Sequence, residues 1–551
     1  MHSLSSVLAN PATRAYQHVG RCIRHVLPVF LVMLLSSCED FFDINEDPNN
    51  PTEASVDLLL TNSELAVVNS LGIGTSGLSS ILSVYMHQTT RRQSFDAYEV
   101  TGEDFAVQQP WSQLYSIALE DLREIKTLGA EEEAWHYVGI AQILEAYAYS
   151  QAVDVWGDIP FAEANVTPET YTPQIDDDAA IYPQLLTSLD EGIANLEKTS
   201  SRSPAGDDLI YGGNLASWRK FAKTVKLKLY NQLRLVQDVS GEVNALLTDD
   251  DLIGSADEDF ELAYVDQQSP ENRNPGYIAD YPAARIFYVS VWFYEIMKGK
   301  NPAILSGVED PRIPYYFYNQ LTADEPPENP AEYRDGSFLS IYFASTGPNQ
   351  AGAQDNSQTV LGMYPYGGRY DDGSALAVTQ ADAPGDVPQR LLTYHARLYI
   401  EAELAQAGVT GGDARTLLQQ AMQASFDKVN RIAANFTAKN QEAPEPIAAE
   451  VVEAYINTVL AAYDAGDATR KLELIMTQKW IATFGYSVDQ YTDYRRTGFP
   501  RLYDPNTDAF SFTNASRAFP MVLPYSAQEV ELNPNVQQQN PASTQVFWDV
   551  E

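Results

Sequence analysis

Residues 137–161 read YVGIAQILEAYAYSQAVDVWGDIPF, and this stretch decides the fold class. Tyr137, Ala141, Leu144, Ala148, Ala152 and Val155 recur at intervals of three and four, which is one apolar stripe along an α-helix. Trp156-Gly157-Asp158-Ile159-Pro160 then ends the helix, because glycine permits the turn and proline cannot extend a helix. At that end Trp156 reads as a core residue that locks the turn. Two more stripes follow. One is Ile181, Leu185, Leu186, Leu189, Ile193 and Leu196; the other is Trp218, Phe221, Ala222, Val225, Leu229 and Leu233. Short polar links between them predict antiparallel helix pairs.

Helical patterning runs from about 57 to 300 and returns at 389–407, 411–430, 447–463 and 466–485. Small residues at the expected helix contacts resemble tetratricopeptide pairs, without a strict 34-residue repeat. Residues about 301–388 are rich in Pro, Gly, Tyr, Asn and Asp and show little period. A loop-rich stretch of that length within a helical protein is where binding residues concentrate. The tail from about 497 reads as an irregular wrap over the helices. The expectation is a mainly α fold, with residues 56–551 as a single domain carrying a loop-rich insertion at about 301–388.

The amino terminus belongs to a different chemistry. Arg14, Arg21 and Arg24 precede any acid, and an apolar run from Val26 to Leu35 follows. That run is half of the ~20 residues needed to cross a bilayer. A basic region, a short apolar region and Leu35-Ser36-Ser37-Cys38 together read as a lipoprotein signal over residues 1–37. Cys38 is then the lipidated residue, and residues 38–55 are a polar tether anchored to a membrane rather than spanning it.

Composition excludes several functions. The chain has 35 Lys and Arg against 75 Asp and Glu, a formal net charge of −40. The signal takes only basic residues away, so the remainder is more acidic still. Nucleic acid, whose phosphates need a basic surface, is excluded as a partner. Of two cysteines, Cys22 leaves with the signal and Cys38 takes lipid, so neither a disulfide nor a thiol nucleophile remains. His87, His136 and His395 are far apart and form no ligand motif. The runs Asp176–Asp178, Asp249–Asp251 and Asp257–Asp259 lack the glycine-bearing spacing of a calcium loop and read as helix-start acids. No cofactor or metal is expected.

Several short strings, in order, resemble the SusD/RagB-like outer-membrane lipoproteins of Bacteroidetes. They are Asn45-Glu46-Asp47-Pro48-Asn49, Trp156-Gly157-Asp158-Ile159-Pro160, and Ala222-Lys223-Thr224-Val225-Lys226-Leu227-Lys228-Leu229-Tyr230. Asn274-Pro275, Asp310-Pro311-Arg312, Gln478-Lys479-Trp480 and Tyr494-Arg495-Arg496-Thr497-Gly498-Phe499-Pro500 follow. One departure is Tyr394-His395-Ala396, where the family's usual Tyr-Ala-Glu is missing its carboxylate. The resemblance implies a SusD-like bundle of helices with tetratricopeptide-like pairs packed on an irregular loop-rich lobe. It implies a lipid-anchored, non-catalytic protein on the outer face of the outer membrane. Such a protein captures nutrient oligomers, glycans most often and peptides sometimes, for a SusC-like TonB-dependent transporter. Glu39 and Asp40 then resemble an acidic surface-export signal.

Ligand-binding residues are sought in the loops, since aromatic rings cover the C–H face of a sugar and polar groups bond its rim. Tyr364, Tyr366, Arg369, Tyr370 and Asp371 offer that mix, as do Asn274, Tyr277 and Tyr281; Tyr315, Tyr316 and Tyr318 form a third cluster. If Tyr366 and Tyr370 serve only the ligand, alanine at both weakens binding and leaves the melting temperature nearly unchanged. Lys223, Lys226 and Lys228 wrap around one helix and read as ion-paired, and Arg495 and Arg496 as a structural pair. Three functions compete: a binding lid for a transporter, a two-carboxylate glycoside hydrolase, and an adaptor for soluble proteins. No nucleophile or metal motif of the G-x-S-x-G or H-E-x-x-H type is present.

Overall fold

A computed structural model describes residues 54–92, 98–166, 171–282, 285, 287–324, 332–344, 354–504, 507–508 and 517–550. The signal, Cys38 and the tether up to residue 53 lie outside them. Residues from Val56 onward form one compact unit.

The first half comprises α1 (Val56–Leu71), α2 (Leu78–Tyr85), α3 (Phe105–Gln113), α4 (Leu119–Glu131), α5 (Trp135–Trp156), α6 (Asp178–Leu196), α7 (Leu215–Leu233) and α8 (Ser240–Asp249). A π-helical turn, Leu114–Ala118, joins α3 to α4. Short helices α9 (Pro275–Asp280), α10 (Val291–Met297), α11 (Ile313–Tyr316) and α12 (Met363–Tyr366) punctuate the middle. The late helices are α13 (Tyr394–Gln406), α14 (Ala414–Asn435), α15 (Ala449–Ala465), α16 (Ala468–Ala482) and α17 (Val488–Thr497), with α18 (Ala527–Leu532) in the tail. Helices pack in sequential pairs: α4 on α5, α5 on α6, α13 on α14 and α15 on α16.

The expected stripe of α5 is buried, as are Ile181, Leu185 and Leu189 on α6. The two helices cross tightly at Gly139 and Gly192. A Cβ on Gly139 would lie 2.8 Å from the Gly192 carbonyl oxygen, so neither site accepts a larger residue without moving a backbone. At the other end Tyr182 on α6 donates to Asp154 on α5, which makes the pair antiparallel. Gly157 ends α5 with φ +75°, a conformation that glycine adopts without the strain a side chain brings. Trp156 is fully buried beside Trp111 and donates to the Pro524 carbonyl, so it locks this end as expected.

Strands are short antiparallel pairs. β1 (Thr89–Arg91) pairs with β5 (Phe287–Val289), setting Arg91 opposite Phe287. β2 (Ile159–Pro160) pairs with β3 (Ile175–Asp176), and β4 (Phe260–Leu262) with β10 (Gln389–Leu392). In the middle, β6 (Phe317–Tyr318) pairs with β9 (Val360–Leu361) and β7 (Glu332–Asp335) with β8 (Phe338–Ile341). Residues 389–392 were expected to open a helix and form β10 instead; all four are buried, and the ladder with β4 satisfies their backbone. Residues 466–485 also stop short of one helix, since α16 ends at Ala482 and α17 starts at Val488.

The family-like strings converge in the core as a charge network. Asp154 on α5 accepts from Tyr182, from Gln232 at 2.8 Å and from Trp548 at 3.2 Å. Lys228 on α7 lies 2.7 Å from Asp489 on α17. Glu403 on α13 receives Arg496, Arg234 at 2.6 Å and Asn231 at 2.9 Å. Asp493 joins Arg496 and Lys479, each at 2.7 Å. Arg496 is therefore the structural ion pair expected of it. Arg495 bonds the Asp154 and Met521 carbonyls instead, with its guanidinium 3.8 Å above Tyr491. Lys223 and Lys226 are ion-paired nearer the surface, with Asp249, Asp251 and Asp190. Where the family's usual carboxylate is absent, Asp259 accepts the Tyr394 N–H at 2.6 Å and pairs with Lys428 at 2.7 Å. His395 is buried there, and desolvation with nearby Lys428, Arg390 and Arg312 keeps it neutral.

Candidate functional site

The loop tyrosines lie inside the protein. Asn274 caps α9 through the Gly276 N–H at 2.8 Å and donates to the Val387 carbonyl at 3.0 Å. Tyr277 donates to the Gln380 and Ala383 carbonyls at 2.7 and 2.8 Å. Tyr281 donates to the Leu361 carbonyl at 3.0 Å and accepts the Arg369 N–H at 2.7 Å. Tyr364 stacks on Tyr316 at 4.9 Å with the Arg390 guanidinium 4.1 Å from its centroid. Arg369 is buried over Tyr318, 4.8 Å from the ring centroid, with Asp372 at 3.6 Å. Tyr370 is half-buried against Tyr315. Asp371 accepts from Asn319 at 2.7 Å, and burial pushes its carboxyl up to about 6. The third cluster is buried too, with Tyr318 donating to the Leu376 carbonyl at 2.9 Å. A loop without regular secondary structure leaves carbonyls to satisfy, and here tyrosine hydroxyls from neighbouring segments satisfy them.

Of these side chains Tyr366 lines a cavity. Its hydroxyl donates to Asp280 at 2.5 Å, and both residues line a cleft of about 250 Å³. The other walls come from the loop after α1 (Ile73), from α2 (Ile81), from β1 (Arg91), from the start of α3 (Phe105), and from Ala279, Phe287 and Leu361. The β1/β5 pairing carries Arg91 and Phe287 to one side of the cleft, while α9 and α12 carry Asp280 and Tyr366 to it. Phe105 stands at the open edge, 59% exposed. Burial pushes the Asp280 carboxyl up to about 6, with Tyr366 and Arg285 pulling it down. Among the described residues Arg91 has no carboxylate partner, and its buried Nε has no hydrogen-bond acceptor.

A second aromatic group sits at the other end of the β1/β5 pair. His87 shares a 2.7 Å hydrogen bond with Tyr98, its ring lies 4.3 Å from Phe343 and 5.8 Å from Tyr503, and Tyr503 meets Trp292 at 5.9 Å. Burial lowers His87 to about 3, so it is neutral. Trp292 is half-exposed. Rings from four stretches of chain thus gather at one end of the ribbon.

Phe105, Arg91 and Trp292 escaped the sequence reading. Phe105 left one signal: Val107, Trp111 and Leu114 form the buried stripe, and Phe105 falls outside it. Arg91 and Trp292 left none, because their importance comes from the pairing of β1 with β5. The acidic runs serve structure, but only Asp176–Asp178 starts a helix as expected: Asp249–Asp251 lies at the end of α8, and Asp257–Asp259 precedes β4. Asp177 caps α6, Asp251 pairs with Arg219 and Lys223, and Asp259 pairs with Lys428. Among the described residues no group of three His, Cys, Asp or Glu is placed to hold a metal ion, and no helix is long and apolar enough to cross a membrane.

Comparison with known proteins agrees with this architecture. A SusD/RagB family protein from Bacteroides thetaiotaomicron superposes with a TM-score of 0.67 at 20% identity, covering 90% of this chain and 99% of its own. A chitin-binding protein gives 0.65 at 20% identity over 90% and 100%. A chitin-binding SusD homolog from Flavobacterium johnsoniae gives 0.59 at 18% identity over 89% and 98%. No curated protein sequence matches the chain. The fold is therefore the helix-rich SusD-like one. The family model described as "Starch-binding associating with outer membrane" matches residues 48–525, and the chain belongs to this SusD-like family.

Proposed function

We propose that this protein is a non-catalytic, lipid-anchored lid on the outer face of the outer membrane, which captures glycan oligomers and passes them to a SusC-like TonB-dependent transporter. The observation that carries this is the family match over most of the chain, a family described as starch-binding and associated with the outer membrane. Two structural relatives are chitin-binding proteins, which supports a carbohydrate ligand. The half-exposed Trp292 and exposed Phe105 supply aromatic faces of the kind that cover a sugar's C–H surface. Cys38 supplies the anchor in this reading. Hydrolysis needs two carboxyl groups across the bond that breaks, and among the described residues lining the cleft Asp280 is the one carboxyl. The apolar walls around Arg91 also suit a peptide with an apolar side chain, which is the second reading.

Calorimetric titration with starch, cellulose and chitin oligomers tests the ligand class, and release of reducing ends tests catalysis. Binding without new reducing ends is expected; binding of peptides alone would replace glycans with the second reading. Pull-down from outer membranes should recover a large barrel transporter, and Cys38→Ala should shift the protein to the soluble fraction.

A further inference from the structure

The cleft beside β1 is apolar where a surface for bare sugars would be polar. Its walls include Ile73, Ile81, Phe105, Ala279, Phe287 and Leu361. A pyranose carries hydroxyls around its rim, and each one taken from water into these walls loses a hydrogen bond that nothing here replaces. Apart from the exposed Thr75, the side-chain hydroxyls nearby are already engaged. Ser80 both accepts from and donates to Gly74, Ser83 shares a bond with Thr89, and Tyr366 donates to Asp280. Arg91 lines the cleft and has no hydrogen-bond or ion-pair partner among the described residues; its Nε is closed off by protein, which leaves the two terminal Nη groups as the donors a ligand can reach. A guanidinium has donors only, so it calls for an acceptor oxygen. With a chain charge of −40 and Asp280 in the same cleft, a neutral acceptor is favoured over a carboxylate. The volume of about 250 Å³ is below the ~300–1,000 Å³ of a site for a whole drug-sized ligand, so the cleft takes about one sugar residue with its substituent and not an oligomer.

We infer that this cleft holds an acyl substituent of the glycan, an acetamido or O-acetyl group, with its methyl among the apolar walls and its carbonyl oxygen on Arg91. This deepens the proposed glycan reading and rests on it for the rest of the ligand. Phe105 at the open edge of the cleft then covers the ring that bears the substituent. The protein would select acylated over bare oligomers because the cleft rewards the methyl and penalises a hydroxyl in its place.

The test uses chitotriose, cellotriose and a methyl glycoside of N-trifluoroacetylglucosamine, with the full protein and two variants. Ala279→Phe fills the cleft from its half-exposed wall, and Arg91→Met keeps the stem and removes the donors. Wild type should bind chitotriose at least about tenfold more tightly than cellotriose, the scale of one well-made hydrogen bond plus a buried methyl. Either variant should bring the two affinities together. The fluorine resonance should broaden with wild type and stay sharp with Ala279→Phe. Equal affinities in wild type, or a preference that survives in both variants, overturns the inference. If the oligomers bind while the fluorine line stays sharp, the acyl site falls and the glycan reading stands. If neither oligomer binds while the line broadens with wild type alone, the acyl site stands and oligomer capture falls.

Discussion

Two aromatic regions share Tyr366 and behave in opposite ways. On one side are the packed tyrosines of α9 and of the loop from Met363 to Gly385: the hydroxyls of Tyr277, Tyr281 and Tyr364 donate to the protein's own carbonyls, and the Tyr364 ring lies against Arg390. On the other is the cleft, where Phe105 is 59% exposed and Arg91 has no partner among the described residues. Composition favours the loop as a binding surface. Hydrogen-bond accounting favours the cleft, because a group already satisfied gains little from a ligand and an unsatisfied one gains much. A tyrosine whose hydroxyl holds a distant carbonyl is a fastening, whatever its resemblance to a sugar platform.

Replacement of a ring on the loop side should give the largest effect. Tyr364→Ala removes a fully buried ring stacked on Tyr316 and should cost about 3–5 kcal/mol in denaturant unfolding. A change within about 0.5 kcal/mol would mean that the loop is a surface after all. Tyr366→Phe isolates the hydroxyl shared by the two regions. It should cost about 1–3 kcal/mol, since Asp280 is left buried without its donor. The expectation that Tyr366→Ala with Tyr370→Ala spares the melting temperature is therefore replaced by one of clear destabilisation, because Tyr366 is 1% exposed. On the cleft side Phe105→Ala should leave stability within about 0.5 kcal/mol and weaken oligomer affinity in calorimetry. Unaltered affinity would remove the rim of the cleft from the site.

A smaller effect concerns pH. Burial pushes Asp280, Asp178 and Asp371 up to about 6, against a usual 3.8. Each therefore binds its proton more tightly folded than unfolded. Between pH 7 and pH 5 the folded protein takes up these protons and the unfolded chain does not, so their contribution to stability rises on acidification. Asp251, held near 2 by Arg219 and Lys223, acts in the opposite sense and loses its contribution as pH falls from about 4 towards 2. The wild type should thus gain more in melting temperature from pH 7 to pH 5 than Asp280→Asn does. Identical gains would show that Asp280 does not titrate in this window.

The charge network explains why the family-like strings were readable one by one while their purpose was not. Asp154, Lys228, Asp489, Asp493, Arg496 and Glu403 come from four helices spread over most of the chain. Buried, they hold one another, and removal of a single partner is costly because it strands a charge. In the linear sequence Lys228 looks like the partly buried Lys223 and Lys226. Only its position on the inner face of α7, 2.7 Å from Asp489, separates it from them.

Helix content, the order of the helices, the turn at Gly157 and family membership were decided by the sequence itself. Those properties depend on residues three or four apart, or on short strings, and local spacing carries them. Which aromatic groups are packed and which stand open was decided by the tertiary structure. Whether Tyr277 is a ligand platform or a fastening depends on the Ala383 carbonyl more than a hundred residues away, and Arg91 becomes a candidate only because β5 lies beside it. Hydrogen-bond satisfaction belongs to pairs of groups that meet in space, and distance along the chain does not encode it.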